Sequence, residues 1–216
     1  MLHKYLEIAS TPSVKAARQR YGGAAHYAEL DGTLGLDGPV RNDRLGSSEA
    51  AFIAARDGFY LASVSETGWP YVQFRGGPPG FLRVLDETTL GYADFRGNRQ
   101  YLTTGNVAGN DRVSLFLMDY AHQRRLKLFG RMRVTDAAEG QALAAQLGVP
   151  GYSARVERAV LIKVEAFDWN CPQHITPRFT QAELAEALAP VRQELEGLRA
   201  ENERLKRQAA PVPEKP

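Results

Sequence analysis

Between residues 59 and 168 the chain alternates apolar and polar side chains again and again with a period of two, the mark of half-buried strands. Residues 59–65 and 69–75 flank the turn Glu66-Thr67-Gly68. Residues 81–85 and 88–92 follow, set off from Arg75 by Gly76-Gly77-Pro78-Pro79-Gly80. These four short runs read as an antiparallel meander. Residues 112–118 are nearly continuous in apolar side chains and read as a central strand. Residues 124–134 alternate basic and apolar, which places one set inside and the other outside. Residues 158–168 form the last strand.

Helical signals sit between and around these runs. Thr11-Pro12 starts a helix that reaches Tyr21 and stops at Gly22-Gly23, and the glycine-rich remainder to residue 46 reads mostly as loop. Ser47-Ser48-Glu49 caps a helix over 50–56. A short helix is expected from the turn Arg96-Gly97-Asn98-Arg99 to about Gly105, and another over 137–147, ending at Gly148. In the tail, Thr180 caps residues 181–189 and Pro190 restarts the helix. Leu184, Leu188, Val191, Leu195, Leu198 and Leu205, with Asn202 in the same series, fall at alternating spacings of four and three, a coiled-coil seam. Asn202 stands at an a position, where a buried Asn fixes register in parallel pairs. An amphipathic helix folded onto its own domain is the alternative.

The expected fold is therefore mainly β with peripheral helices: a small barrel of six or seven antiparallel strands, plus a C-terminal coiled-coil helix. The organisation is an N-terminal arm (1–46), a barrel domain (47–179), the coiled-coil helix (180–208) and a disordered end (209–216). Regular β-α-β alternation, a Gly-x-Gly-x-x-Gly turn, a Walker loop and a Gly-x-Ser-x-Gly elbow are all missing.

Composition narrows the classes. With 27 basic and 25 acidic side chains the net charge is +2, which gives no general reason to expect nucleic acid. The one cysteine, Cys171, allows no internal disulfide and fits a reducing cytoplasm. No apolar run approaches the ~20 residues that span a membrane, and the N-terminus lacks a signal-peptide core. His3 and His26 read as surface residues, and no two histidines stand at a metal-ligand spacing, so no metal is expected.

The candidate chemistry centres on residues 92–106. Arg96 and Arg99 flank a Gly-Asn turn at a helix start, where free N–H groups and the helix dipole attract anions. Arginine there opposes the dipole, an arrangement that makes sense around a phosphate. The alternative is a solvated turn. Arg75, Arg124 and Arg125 lie at strand ends that can converge on the same place, and Gly76-Gly77 would let backbone approach a flat ring. Trp69, Tyr71 and Trp169 either wall such a ring or pack a core. Residues 168–178 crowd Trp169, Cys171, Gln173, His174 and Arg178 between prolines. Cys171 and His174 lack an orienting third group, and a structural role is preferred to cysteine catalysis.

These features resemble the pyridoxamine 5′-phosphate oxidase-like, FMN-binding split-barrel family. The resemblance runs from Ser48 to about Phe167: helix, hairpin with Gly68-Trp69-Pro70, ligand-facing strand, then the Tyr92-to-Arg99 turn into a helix. Residues 168–178 look like the C-terminal signature of a flavin-nucleotide-binding branch of it. The resemblance implies a split β-barrel with FMN as cofactor. Tyr71, Val72, Gln73, Arg75 and Gly76 would bind it from one strand, Tyr92, Arg96, Asn98 and Arg99 from the turn, and Arg125 from the strand that closes over the flavin. Trp169, Gln173, His174 and Arg178 would shape the substrate side. A homodimer with flavin at its interface is implied, acting on a small-molecule substrate or electron acceptor, with neither nucleic acid nor membrane as partner. The phosphate turn lacks the hydroxyl and Ser-Arg-Lys residues of the true oxidase, and the Arg and His spaced two apart near its C-terminus are missing. Oxidation of pyridoxamine phosphate is therefore not expected. A flavin-dependent oxidoreductase is the first expectation. A non-catalytic flavin carrier, sensor or dimeric interaction module is the second, with deazaflavin- or haem-binding variants of the same fold beside it.

Overall fold

The structure is a computed structural model and describes residues 2–33, 40–135, 137–169 and 172–209. Its first compact unit, Met1–Ile175, holds nine strands and six helices among the described residues; the second, Thr176–Pro216, holds one long helix. Along the first unit run β1 (Leu2–His3), α1 (Lys4–Ala9), α2 (Pro12–Arg20), α3 (Ala24–Thr33), β2 (Val40–Arg41) and α4 (Ser47–Ala54). Then come β3 (Gly58–Val64), β4 (Pro70–Gly76), β5 (Arg83–Asp86), β6 (Thr89–Phe95), α5 (Leu102–Gly109), β7 (Arg112–Asp119), β8 (Arg124–Val134), α6 (Ala137–Leu147) and β9 (Val156–Trp169). The second unit is α7 (Gln181–Ala209).

Seven strands form one antiparallel sheet in the order β4-β3-β7-β8-β9-β6-β5. The sheet curls until its first strand faces its sixth: Arg75 on β4 donates from Nη1 to Asp94 Oδ1 on β6 at 3.1 Å. β4 and β5 do not pair, so the barrel is split between its two edges. This corrects the expected four-strand meander. β3–β4 and β5–β6 are hairpins, but residues 76–80 carry the chain across to the opposite edge. Two prolines without N–H groups cannot serve a ladder. Gly77 instead donates to Asp57 O at 2.9 Å, and Phe81 enters the core beside Phe59.

The interior follows from alternation. Phe59 and Leu61 of β3, Leu115 and Leu117 of β7, and Leu126 and Leu128 of β8 are each 0–1% exposed. Each such side chain contributes roughly 1.5–3 kcal/mol through burial. Leu126, Leu128 and Met132 of β8 point inward, while Lys127 and Arg131 point outward and pair with acidic side chains: Lys127 with Asp168 at 2.8 Å, Arg131 with Asp111 at 2.9 Å and Glu165 at 3.0 Å.

The arm holds more structure than the glycine content suggested. α2 has the expected start, with Thr11 Oγ1 accepting from the Val14 N–H at 3.4 Å. α3 lies within the stretch read as loop. α1 lies on the outer face of β8 and β9, where Tyr5 stacks on Phe129 with ring centroids 4.4 Å apart. His3 is accordingly buried, 8% exposed and 3.4 Å from Asp168, not a surface residue; His26 is exposed. In α4 the cap is Gly46, whose N–H donates to Glu49 Oε2 at 2.9 Å, and Ser47 lies inside the first turn. α7 runs unbroken through Pro190 rather than restarting there.

Candidate functional site

The split is where β4 puts its inner face to use. Tyr71, Gln73 and Arg75 are half-buried and stand opposite Ser63, Leu61 and Phe59 of β3, on the interior side. Because β4 is an edge strand, they project into the gap between β4 and β6. The chain from Asp94 to Thr104 closes that gap, and between them lies a cavity of about 210 Å³.

The turn into α5 is shaped by its own residues. Asn98 Oδ1 accepts from the Gln100 N–H at 3.1 Å, an Asx turn. Arg99 and Tyr101 take left-handed backbone, with φ of 62° and 54°. Non-glycine residues held there cost of order 1–3 kcal/mol each, and such strain gathers at ligand clamps. Left-handed Tyr101 ends the turn, so α5 begins at Leu102, beyond the start expected at residues 96–99, and runs past Gly105 to Gly109. Leu102 and Thr104 of its first turn line the cavity. Two hydrogen bonds pin α5 to the sheet: Thr103 Oγ1 donates to Gln73 Oε1 at 3.0 Å, and Asn106 Nδ2 to Ser63 Oγ at 3.0 Å.

A charge network backs the wall. Asp94, 5% exposed, accepts from Arg75 at 3.1 Å and from Arg158 Nε and Nη2 at 3.2 and 2.9 Å. Glu157 accepts from Arg158 at 3.2 Å and lies 3.7 Å from Arg96. The Arg158 guanidinium sits 4.8 Å from the centre of the Tyr101 ring. On the wall itself Arg75, Arg99 and Arg158 oppose Asp94 and Glu157, so three positive charges face two negative ones. Among the described residues Arg75 Nε is buried without a hydrogen-bond partner. The cavity can therefore receive an anion with several oxygens, held by arginine forks beside a helix start.

Of the sequence candidates, Tyr71, Gln73, Arg75, Asn98 and Arg99 meet at this cavity. Val72 points to the outer face, 60% exposed beside Phe74 and Tyr60, because alternation sends neighbours to opposite sides. Gly76 ends β4 beyond the cavity wall. Tyr92 lies in the core against Phe59 and Phe81, and burial pushes its phenol well above the ordinary value. Arg96 is turned to Glu157. Arg125 lies over Phe116, 5.8 Å from its ring centre, and Arg124 over Trp169 at 4.6 Å, so neither joins the arginines of the cavity. Trp169 packs edge-on to Phe52 and donates to Glu49 Oε1 at 2.8 Å. Gln173 and His174 are exposed on a turn anchored by buried Ile175. Arg178 belongs to the second unit, and Cys171 lies outside the described residues. Among the described residues no group of three His, Cys, Asp or Glu could hold a metal, and no helix is long and apolar enough to cross a membrane. Asp94, Tyr101 and Arg158 were not singled out in the sequence. An acidic residue two positions before Arg96 was the available signal.

Fold and site together define the protein as a split antiparallel barrel with a basic cavity at its open seam. Residues 48–170, more than half of the chain, match the family model described as pyridoxamine 5′-phosphate oxidase, and the chain belongs to that family. The family binds flavins. Similar solved structures include a candidate pyridoxamine 5′-phosphate oxidase from Lactobacillus delbrueckii, 19% identical, covering 59% of this chain and 96% of that one with a TM-score of 0.45. HupZ from Group A Streptococcus is 16% identical over 62% of this chain and 100% of that one, TM-score 0.42. An FMN-binding protein from Syntrophomonas wolfei is 8% identical over 74% and 97%, TM-score 0.43. No curated protein matches the chain.

Proposed function

We propose that the chain binds FMN and serves as a flavin-dependent oxidoreductase on a small molecule, as a homodimer with the flavin at the subunit interface. The observation that carries this reading is the basic cavity at the split, in a chain of a flavin-binding family. The donor set fits the cofactor's phosphate: Arg75 Nε has hydrogen-bonding capacity left, and arginine suits phosphate better than a point charge does. The cavity of about 210 Å³ is smaller than the roughly 300–1,000 Å³ that encloses a whole small-molecule ligand. It suits the phosphate and ribityl chain and leaves the ring needing further cover. Exposed Tyr60, Val72 and Phe74 on the outer face of β3 and β4 offer the apolar surface on which a second subunit would seat.

Bound FMN supplies the hydride or electron chemistry. The chain's own work is binding and orientation. Arg75, Asn98 and Arg99 hold the phosphate. Asp94 fixes the guanidiniums of Arg75 and Arg158 at the cavity wall and offsets part of their charge. Gln73, held by Thr103, presents a fixed amide beside them.

The test is a titration of the purified protein with FMN, followed by visible absorption and flavin fluorescence. The wild type takes up FMN with shifted flavin bands. Arg99→Ala loses the roughly 1.5–3 kcal/mol of a hydrogen bond to a charged group, about ten- to a hundredfold in affinity. Folded wild-type protein that takes up no FMN would sink the reading. Unchanged affinity in Arg99→Ala removes that residue from the phosphate site.

A further inference from the structure

α7 is a 29-residue helix whose leucine and valine side chains all lie on one stripe. Leu184, Leu188, Val191, Leu195, Leu198 and Leu205 are 45–59% exposed. They occupy the a and d positions of a heptad in which Leu188, Leu195 and Asn202 are a. Pro190 and Gly197 both fall at c, on the side away from the seam, where a helix-breaking residue interferes least with a packed partner. A lone helix with a proline and a glycine inside it is poorly stable in water, so the stripe calls for cover.

Charge identifies the cover. The e positions are Arg192, Arg199 and Lys206; the charged g positions are Glu194 and Glu201. In a parallel pair, each g residue meets the e residue of the next heptad across the seam. Glu194 then meets the partner's Arg199, and Glu201 meets the partner's Lys206. In an antiparallel pair g meets g and e meets e, which sets glutamate against glutamate and arginine against arginine. The competing pairs within one helix are exposed i,i+3 contacts, Glu201 with Arg204 at 3.5 Å and Glu203 with Lys206 at 3.0 Å, and such contacts exchange at little cost. Asn202 adds a second constraint, since in register it faces its own copy and is satisfied there.

We infer that α7 forms a parallel, in-register two-stranded coiled coil with α7 of a second copy of this chain. This goes beyond the flavin reading and does not depend on it. The full chain carrying Cys171→Ser and Leu205→Cys is oxidised gently and run on a non-reducing gel, with circular dichroism confirming the fold. Position 205 meets itself only in the parallel register, so most of the protein is expected to run as a covalent dimer. Adding Glu194→Lys and Glu201→Lys should reduce the cross-linked fraction at least tenfold. Mixing that variant with one carrying Arg199→Glu and Lys206→Glu, also with Leu205→Cys, should restore it as a heterodimer. A Leu205→Cys chain that stays uncross-linked would overturn the inference. Cross-linking indifferent to charge reversal would do the same.

Discussion

A single hydroxyl shows how sharply position decides a residue's use. Tyr92 opens the turn that the family resemblance assigns to the cofactor, yet its ring lies 5.6 Å from Phe59 and 6.4 Å from Phe81 inside the barrel. Its Oη is buried with no hydrogen-bond partner among the described residues. An unsatisfied buried polar group costs about 1–3 kcal/mol, so Tyr92→Phe should raise stability by an amount in that range and leave FMN affinity unchanged. Urea unfolding and flavin titration check the two halves separately. A large loss of flavin affinity would return Tyr92 to the cofactor site. At this scale the sequence was legible where period two applied. Tyr71, Gln73 and Arg75 had to share a side, and they do. The Val72 side chain, between them, points to the other face, so only the backbone expected to face the ring there is left to Val72.

At the scale of elements, the strands were readable because alternation and flanking turns agree with the ladder they form. The failures have local causes. α3 was hidden by glycines that counted as breakers although Gly32 sits inside it. The start of α5 was set too early because Arg99 and Tyr101 adopt a backbone that ordinary residues avoid. The 76–80 segment looked like a tight turn but is a crossover between sheet edges. Gly130 tests the sheet itself. It follows the register shift between Phe129 and Gly130 where β8 pairs with β9, and a Cβ there would meet Lys163 O at 2.7 Å and Ile162 Cγ2 at 2.8 Å. The backbone cannot easily yield, so Gly130→Ala should destabilise by roughly 1–3 kcal/mol, as overpacking does. An unfolding midpoint equal to wild type would show that the two strands can part at little cost.

Across the first unit, closure of the barrel is what sequence could least foresee. Arg75 and Asp94 are 19 positions apart and sit on strands separated by four others in the sheet, yet they meet. No local pattern announces a contact that depends on how far a sheet curls, which is why Asp94 and Arg158 escaped notice while Arg75 did not. Packing of the arm on the barrel gives a pH dependence. Burial, outweighing the pull of Asp168, holds the His3 imidazole below its ordinary 6.5. The folded form therefore favours neutral His3, while the unfolded chain takes up a proton at the ordinary value. The contribution is complete above that ordinary value and is lost as pH falls through the lowered folded one. Melting temperature should drop between pH 8 and pH 5.5 in the wild type and drop less in His3→Gln. Equal slopes in the two proteins would remove His3 as the cause.

The open seam also has a cost in the crowded conditions of a cell. β4 ends the sheet, with Val72 and Phe74 exposed along it. An edge strand of this kind is a template on which a stray extended peptide can add itself, and proteins commonly guard such edges with charge, bulges or a cover. Here the proposed guards are separate molecules: a cofactor in the seam and a neighbour on the outer face. A newly made chain has neither, so the interval before both arrive is when it is most exposed to aggregation.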